Sequence, residues 1–335
     1  MIVITLIIII IFLLILGLIE NFNHQLVLKQ LPIRIHVNGA RGKSSVTRLI
    51  AAGLRESGMK ILAKTTGSAP RIIDENGKDL VIHRLRSASI GEQVKLLRGF
   101  AKKKPDAIVV ECMAVQPQYQ WVAEQKMIKS TINVITNVRP DHLDEMGSSM
   151  RDIALSLSNT IPFNGRLVTA ERDNLDYLVD VAESRDSVVD VVSADLISDD
   201  YMNKFPYLEH SENVALALQV CREAGVEKET ALKGMLKTPP DPGALVVWNL
   251  KIKKQNHQFV SAFAANDPKS TLQIWNMLQD RVNERSVCIF LNTRSDRRYR
   301  TKQLISLVYN EIKPDVFVIR GDDLQHDLSL YIKKY

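Results

Sequence analysis

The segment His36–Val37–Asn38–Gly39–Ala40–Arg41–Gly42–Lys43–Ser44–Ser45 constrains this chain more than any other. The apolar run Ile33–Val37 before it reads as a buried strand, and Val46, Leu49, Ile50 and Leu54 after it keep helical spacing. A glycine-bearing turn between strand and helix aims backbone N–H groups and the positive end of the helix at one point, which suits an anion. Lys43 adds a mobile cation, and the Ser44 hydroxyl suits a magnesium ion. The spacing Gly39-x-x-Gly42-Lys43-Ser44 is two residues shorter than the usual P-loop gap. The triplet alone is a weak signal. Its strand–loop–helix context points to nucleotide phosphates, held by Gly39, Arg41, Gly42, Lys43, Ser44 and Ser45, with ATP as the expected nucleotide.

The N-terminus bears on location. Ile2 to Ile19 carries no charge, and eighteen residues at about 1.5 Å each span roughly 27 Å, enough for a hydrocarbon core. A secretory signal would start basic and end in small residues at a cleavage site; Met1 leads directly into the apolar run, and Glu20–Asn21–Phe22–Asn23–His24 offers no such site. Positive charge begins afterwards, at Lys29, Arg34, Arg41 and Lys43, so the positive-inside rule expects a single-span anchor at residues 1–20 with the body in the cytoplasm.

The residues that follow are too many for one small core and suggest two domains. Composition is ordinary for a globular α/β protein, at 45% hydrophobic and 24% charged. The net charge of +6 is modest and spread along the chain. Its dense cluster, Arg294, Arg297, Arg298, Arg300 and Lys302, has only Tyr299 interleaved, which argues against nucleic acid and for phosphates or an acidic substrate. Cys112, Cys221 and Cys288 are odd in number and scattered, as reduced thiols are. Short β-branched runs alternate with helical stretches from residue 33 to 236, which predicts a mostly parallel sheet with helices on both faces. The proline cluster Thr238–Pro239–Pro240–Asp241–Pro242–Gly243 is the predicted boundary, giving an ATP-binding domain at 21–243 and a smaller α/β domain at 244–335.

Ligands of parallel sheets bind outside the carboxyl ends of the strands. Besides the phosphate loop, two more strand ends carry polar groups. The run Ala107–Val110 ends in Glu111, and Thr131–Ile135 ends in Asn137 and runs into Asp141–His142–Leu143–Asp144. Glu111 can be read as a solvated strand end and the Asp-His cluster as a capped turn. On one edge with a phosphate loop, Glu111 and His142 also read as Mg²⁺ ligands beside Ser44.

As an ordered set, the short glycine loop, Glu111 and Thr136–Asn137-x-x-x-Asp141–His142–Leu143–Asp144 resemble the Mur-type amide ligases, which include the folylpolyglutamate synthases. Asn213, in His210–Ser211–Glu212–Asn213–Val214–Ala215–Leu216–Ala217, is similar to the asparagine that faces the adenine in those enzymes. The apolar N-terminus narrows the likeness, as do Lys64–Thr65–Thr66–Gly67, Glu111–Cys112–Met113–Ala114–Val115 and Pro239–Pro240–Asp241–Pro242–Gly243–Ala244. With Ala264–Ala265–Asn266–Asp267 and Asn292-x-Arg294-x-Asp296–Arg297, these resemble the ligase subunits of poly-γ-glutamate synthases, the CapB/PgsB group. The resemblance implies an ADP-forming ligase that activates a glutamyl carboxylate as an acyl phosphate and joins it to the amine of glutamate. It implies Lys43, Glu111, His142 and Arg294 as catalytic residues. Asn137, Asn213, Asp267 and Arg297 would join the loop around ATP, and Ser44, Glu111 and His142 would hold Mg²⁺. It implies a Rossmann-like second domain. The expected partners are glutamate, the growing polymer, small membrane-embedded synthase subunits and an extracytoplasmic subunit, with self-association also open and nucleic acid excluded.

Several positions depart from the wider Mur pattern. No lysine lies between Lys129 and Lys204, where those ligases carry a carbamylated lysine on the helix after the Asp-His motif. Ala244 stands where an arginine is usual, and Ala262–Phe263–Ala264–Ala265 where the wider family has Asp-Tyr-Ala-His. The sequence stops at Tyr335, several dozen residues before the resembled ligases do, so the second domain is expected to be incomplete. A membrane-anchored ATPase that energises a partner without forming an amide, and a non-catalytic scaffold, are the alternative readings.

Overall fold

The computed structural model describes residues 2–67, 70–82, 89–207, 209–241, 246–253, 255–263, 265, 268–282, 285–293 and 298–321. The chain divides into two compact units, Met1–Pro242 and Gly243–Tyr335.

The first unit is built on strands β1 (Ile33–Asn38), β2 (Ile61–Thr65), β3 (Arg71–Ile73), β4 (Asp79–Val81), β5 (Ala107–Glu111), β6 (Ile132–Ile135), β7 (Arg166–Thr169) and β8 (Val188–Val191). They form one sheet in the order β4-β3-β2-β5-β1-β6-β7-β8. All pairings are parallel except those of β3 with β2 and β4. Strands β1, β2 and β5 are buried on both faces, which is why they read as near-continuous apolar runs.

Alternate residues divide the core. Ile35, Val37 and Val109 pack with Leu49, Ile50 and Leu54 of α2 (Lys43–Glu56), with α9 (Ser211–Glu223) and with α10 (Lys228–Met235). Ile108 and Val110 pack on the other face with Leu97 and Phe100 of α3 (Glu92–Lys102) and with Ile128. Ile128 ends a π-helical turn, Ala123–Ile128, that continues α4 (Pro117–Val122). Further along that face α6 (Met150–Leu157) and α7 (Leu175–Glu183) cover Ile135 and Leu167. Between them and β6 lies the one-turn helix α5 (Leu143–Met146), and α8 (Asp199–Met202) precedes α9.

The sequence reading holds for the strand–helix alternation but differs in one place. The β3–β4 hairpin is absent from it, because three-residue strands around a tight turn at Asp74–Gly77 carry too little periodicity to be seen. The apolar run ends at Ile19, but the helix that carries it continues: α1 runs without a break over Ile2–Lys29. Its residues 2–23 are exposed, whereas His24 and Leu28 are buried against the body. No proline or glycine interrupts residues 18–29, so the helix continues until its last two turns are docked. The imidazole of His24 contacts the Met127 carbonyl oxygen at 2.7 Å through Nε2, and Lys129 Nζ donates to Gln25 Oε1 at 2.9 Å.

In the second unit, β9 (Val246–Ile252) and β10 (Gln255–Ser261) form an antiparallel hairpin. Strands β11 (Cys288–Thr293) and β12 (Val316–Gly321) pair in parallel. Helices α11 (Pro268–Val282) and α12 (Arg298–Leu307) complete it, with Leu307, Val308 and Ile312 packed on Leu272, Trp275, Ile289 and Phe317.

Candidate active site at the carboxyl edge of the sheet

Parallel strands β1, β5 and β6 end side by side, and each delivers one part of the site. After Asn38 the chain turns through Gly39 at φ +129° and Gly42 at φ +84°, both in the region that glycine tolerates. A Cβ on Gly39 would collide with Thr136, so only glycine lets the loop lie this close to the end of β6. Gly42 precedes α2 with no side chain capping the helix, which leaves its first turn available to an anion.

The loop is shaped from the β6 end. Asn137 accepts from the Arg41 N–H through Oδ1 at 3.0 Å and donates through Nδ2 to the Arg41 carbonyl at 3.2 Å. Thr136 Oγ1 donates to the same carbonyl at 2.6 Å, and the Ala40 N–H donates to the Asn137 carbonyl at 3.1 Å. The Asn137 amide therefore serves the loop backbone. Lys43 folds back over the loop, its ammonium donating to the carbonyls of Gly39 at 2.7 Å and Ala40 at 3.3 Å.

Glu111, at the end of β5, is buried and accepts two hydrogen bonds on one oxygen, from Ser44 Oγ at 2.8 Å and from the Thr66 N–H at 2.6 Å. Asp141 links the loop to His142: its carboxylate lies 3.9 Å from Arg41 and 3.9 Å from His142 Nε2. His142 sits at φ +47° in front of α5, with Nδ1 3.9 Å from Glu145. On the α9 side, Asn213 comes to the loop: a Cβ on Gly42 would lie 2.7 Å from Asn213 Oδ1, and Asn213 Nδ2 donates to Glu209 at 2.8 Å. Burial, opposed by that hydrogen bond, raises the Glu209 carboxyl above its usual range.

The structure thus brings Gly39, Arg41, Gly42, Lys43, Ser44, Glu111, Asn137 and Asn213 into one neighbourhood, with Ser45 in the first turn of α2 and His142 attached through Asp141. Asp267, Arg294 and Arg297 lie outside the described residues. Among the described residues no three His, Cys, Asp or Glu side chains are placed to hold a metal unaided. The Ser44 hydroxyl and Glu111 carboxylate are hard oxygen donors already within hydrogen-bond distance. That set fits Mg²⁺, which keeps several waters and takes few protein ligands beside phosphate oxygens.

Two supporting groups escaped the sequence reading. Glu171, just past β7, is buried; it accepts from the Val138 N–H at 2.6 Å and from the Asn174 N–H and Nδ2 at 3.0 Å, pinning the segment that leads to His142. The rule that singled out Glu111, a carboxylate just after an apolar strand, would have found it. Arg48 of α2 is 3% exposed and donates to both oxygens of Asp79, at 2.9 and 2.8 Å, and to Asp241 at 3.3 Å. Burial works against its charge, but the two carboxylates outweigh it and raise its pKa. This ties the β3–β4 hairpin and the proline-rich segment to the helix after the phosphate loop.

Comparison with known proteins agrees with this geometry. Residues 37–237 match the Mur ligase middle domain, and residues 247–331 match the poly-gamma-glutamate synthase CapB C-terminal domain. The capsule biosynthesis protein CapB of Bacillus anthracis is 40% identical over 317 residues, 93% of this chain and 68% of that protein. The PGA synthase CapB of Bacillus subtilis (strain 168) is 36% identical over 321 residues, 95% of this chain and 82% of that one. In fold the chain is similar to the bifunctional folylpolyglutamate synthase/dihydrofolate synthase of Yersinia pestis, solved with AMPPNP and a Mn ion, at a TM-score of 0.63 and 15% identity over 82% of this chain and 71% of that one. The chain belongs to the Mur ligase family and, within it, to the CapB group of poly-γ-glutamate synthases.

Proposed function

We infer that this chain is an ATP-dependent, ADP-forming amide ligase that builds poly-γ-glutamate from glutamate. The observation that carries the chemistry is the Ser44–Glu111 contact, which sets a hard oxygen pair at the mouth of a phosphate loop. We propose three parts: an anchor at 1–20, an ATP-binding domain at 21–243 and a smaller ligase domain at 244–335. We also propose that α1 is a single-pass membrane anchor with the body on the cytoplasmic side, supported by its exposed apolar length and the basic residues that follow. Membrane-embedded synthase subunits and an extracytoplasmic subunit are the proposed partners.

A carboxylate is a poor acyl donor because oxide is its leaving group. In the first step a glutamyl carboxylate oxygen bonds to the γ-phosphorus of ATP and ADP leaves. In the second the amine of glutamate attacks the acyl carbon, phosphate leaves with the bonding pair, and the nitrogen loses a proton. Lys43 and the first-turn N–H groups of α2 offset negative charge on the phosphoryl oxygens as it is transferred. Ser44 and Glu111, with His142, would hold Mg²⁺, which when bound supplies Lewis-acid neutralisation of the phosphates. Asp141 lies between His142 and Arg41 of the loop, 3.9 Å from each, and Glu171 holds the backbone between β6 and that pair. The roles that the sequence assigns to Asp267, Arg294 and Arg297 belong to the same proposal.

The test is ADP release by the purified full chain with and without glutamate, with the product read by mass spectrometry. Release that requires glutamate and Mg²⁺ and yields γ-linked glutamate supports the reading; glutamate-independent hydrolysis with no amide overturns it. For topology, external protease on intact cells should spare residues 21–335, and their digestion would reverse the proposed orientation.

A further inference from the structure

Because α1 passes into the body as one helix, the body has no flexible spacer from the apolar segment. From Glu20, where the apolar run ends, to His24, the first buried residue, is four residues, about 6 Å of helix. Whatever surface surrounds the docked end of α1 must therefore lie at the depth of the lipid headgroups. That surface is formed by α3 and by the π-helical turn, whose Leu97, Phe100 and Ile128 pack with Leu28.

Its charge is one-sided. The exposed side chains there include Lys29, Lys95, Arg98, Lys102, Lys126 and Lys129. The acidic residues of the same segments are Glu20, Glu92 and Glu124, and Glu124 is fully buried against His36. Lys126 lies over the Trp121 ring at 5.2 Å, and Trp121 and Tyr119 are both exposed on α4. Cations mixed with amphipathic aromatic rings beside a membrane helix form the pattern that a charged lipid interface favours.

We propose that this basic, aromatic face is a docking surface for anionic phospholipid headgroups and fixes the body against the bilayer. The proposal rests on the reading of α1 as an anchor. Lipid is favoured over an acidic polymer because the face adjoins the emerging helix, so the bilayer reaches it without any further binding event.

The experiment places the full chain in nanodiscs of phosphatidylcholine alone or of phosphatidylcholine with phosphatidylglycerol. A water-soluble acetylating reagent is added, and lysine modification is read by mass spectrometry. Lys95, Lys102 and Lys126 should react at least about threefold more slowly in the anionic discs, an effect erased by high salt, as interfacial charge pairing requires. Lys228, on α10 against the opposite face of the sheet, should react equally in both. Equal rates for the first three lysines in the two lipids would overturn the proposal. So would slowing that appears in neutral discs only when poly-γ-glutamate is added, which would reassign the face to the polymer. Alkaline carbonate extraction separates the anchor from the face. Chain retained by carbonate without lysine protection rejects the face alone; chain extracted by carbonate but still protected on anionic lipid rejects the anchor alone.

Discussion

The Ser44 hydroxyl donates to the Glu111 carboxylate at 2.8 Å, joining the first turn of α2 to the end of the neighbouring strand β5. The same carboxylate oxygen holds the Thr66 N–H. Glu111→Gln keeps the shape but loses the charge, so the apparent Mg²⁺ affinity in ATP turnover should fall by about 10–100-fold while the fold survives. A Mg²⁺ titration of ADP release checks this; an unchanged midpoint would remove Glu111 from the metal site.

Lys43 is the cation nearest the loop carbonyls. Its side chain is half-buried and its ammonium is held by loop carbonyls, so Lys43→Ala should leave the fold intact. Turnover should drop by about 10²–10³-fold through lost charge stabilisation in phosphoryl transfer. Wild-type ADP release from a protein with an unaltered melting curve would be the contrary result.

Gly39→Ala tests the close approach of loop and β6. The new methyl group meets Thr136, so the loop must move and the Arg41–Asn137 pairing must break. The expected cost is about 1–3 kcal/mol of stability together with loss of nucleotide binding. Calorimetry of ATP-analogue binding gives the answer, and unimpaired binding would refute the tight loop.

No lysine lies between Lys129 and Lys204, so no carbamate can form on the helices α5 to α8 that directly follow His142. Glutamate-stimulated turnover should be indifferent to bicarbonate in degassed buffer, and His142→Ala should lower it. Bicarbonate rescue would place a lysine from elsewhere in the site.

His36 and Glu124 are fully buried with Nδ1 and Oε2 2.8 Å apart. Burial by itself lowers the imidazole pKa, but the Cys112 sulfur and the Glu124 carboxylate override it and raise it to about 9. A folded-state pKa above the free value stabilises the protein fully below about pH 6.5, and that stability is lost as pH rises through about 9. Melting temperature should decline across that window. Glu124→Gln should flatten the decline and cost about 3–5 kcal/mol, as breaking a buried pair does. A flat wild-type profile would show that His36 is neutral.

Much of the carboxyl edge was legible because its parts are local. The loop Gly39–Ser44, Glu111 and Asp141–His142 each follow a short apolar run, and β-strand register then brings them together. What stayed hidden depends on partners distant in sequence. Asn137 reads as a nucleotide contact, and the structure adds a second role that the sequence does not show, pairing of its amide with the Arg41 backbone. Arg48 looks like an ordinary helix-surface arginine until the β3–β4 hairpin supplies Asp79. The continuation of α1 past its apolar run shows only in the structure, where His24 and Leu28 are buried one turn apart.

Helix α1 and the phosphate loop sit at opposite ends of the same strand. α1 reaches the sheet just before Ile33, where β1 begins, and the loop leaves it after Asn38, where β1 stops. Six residues of strand separate them, about 20 Å at 3.3 Å per residue. In the orientation proposed for α1, the phosphate loop would therefore open at the edge of the sheet far from the bilayer, towards soluble nucleotide.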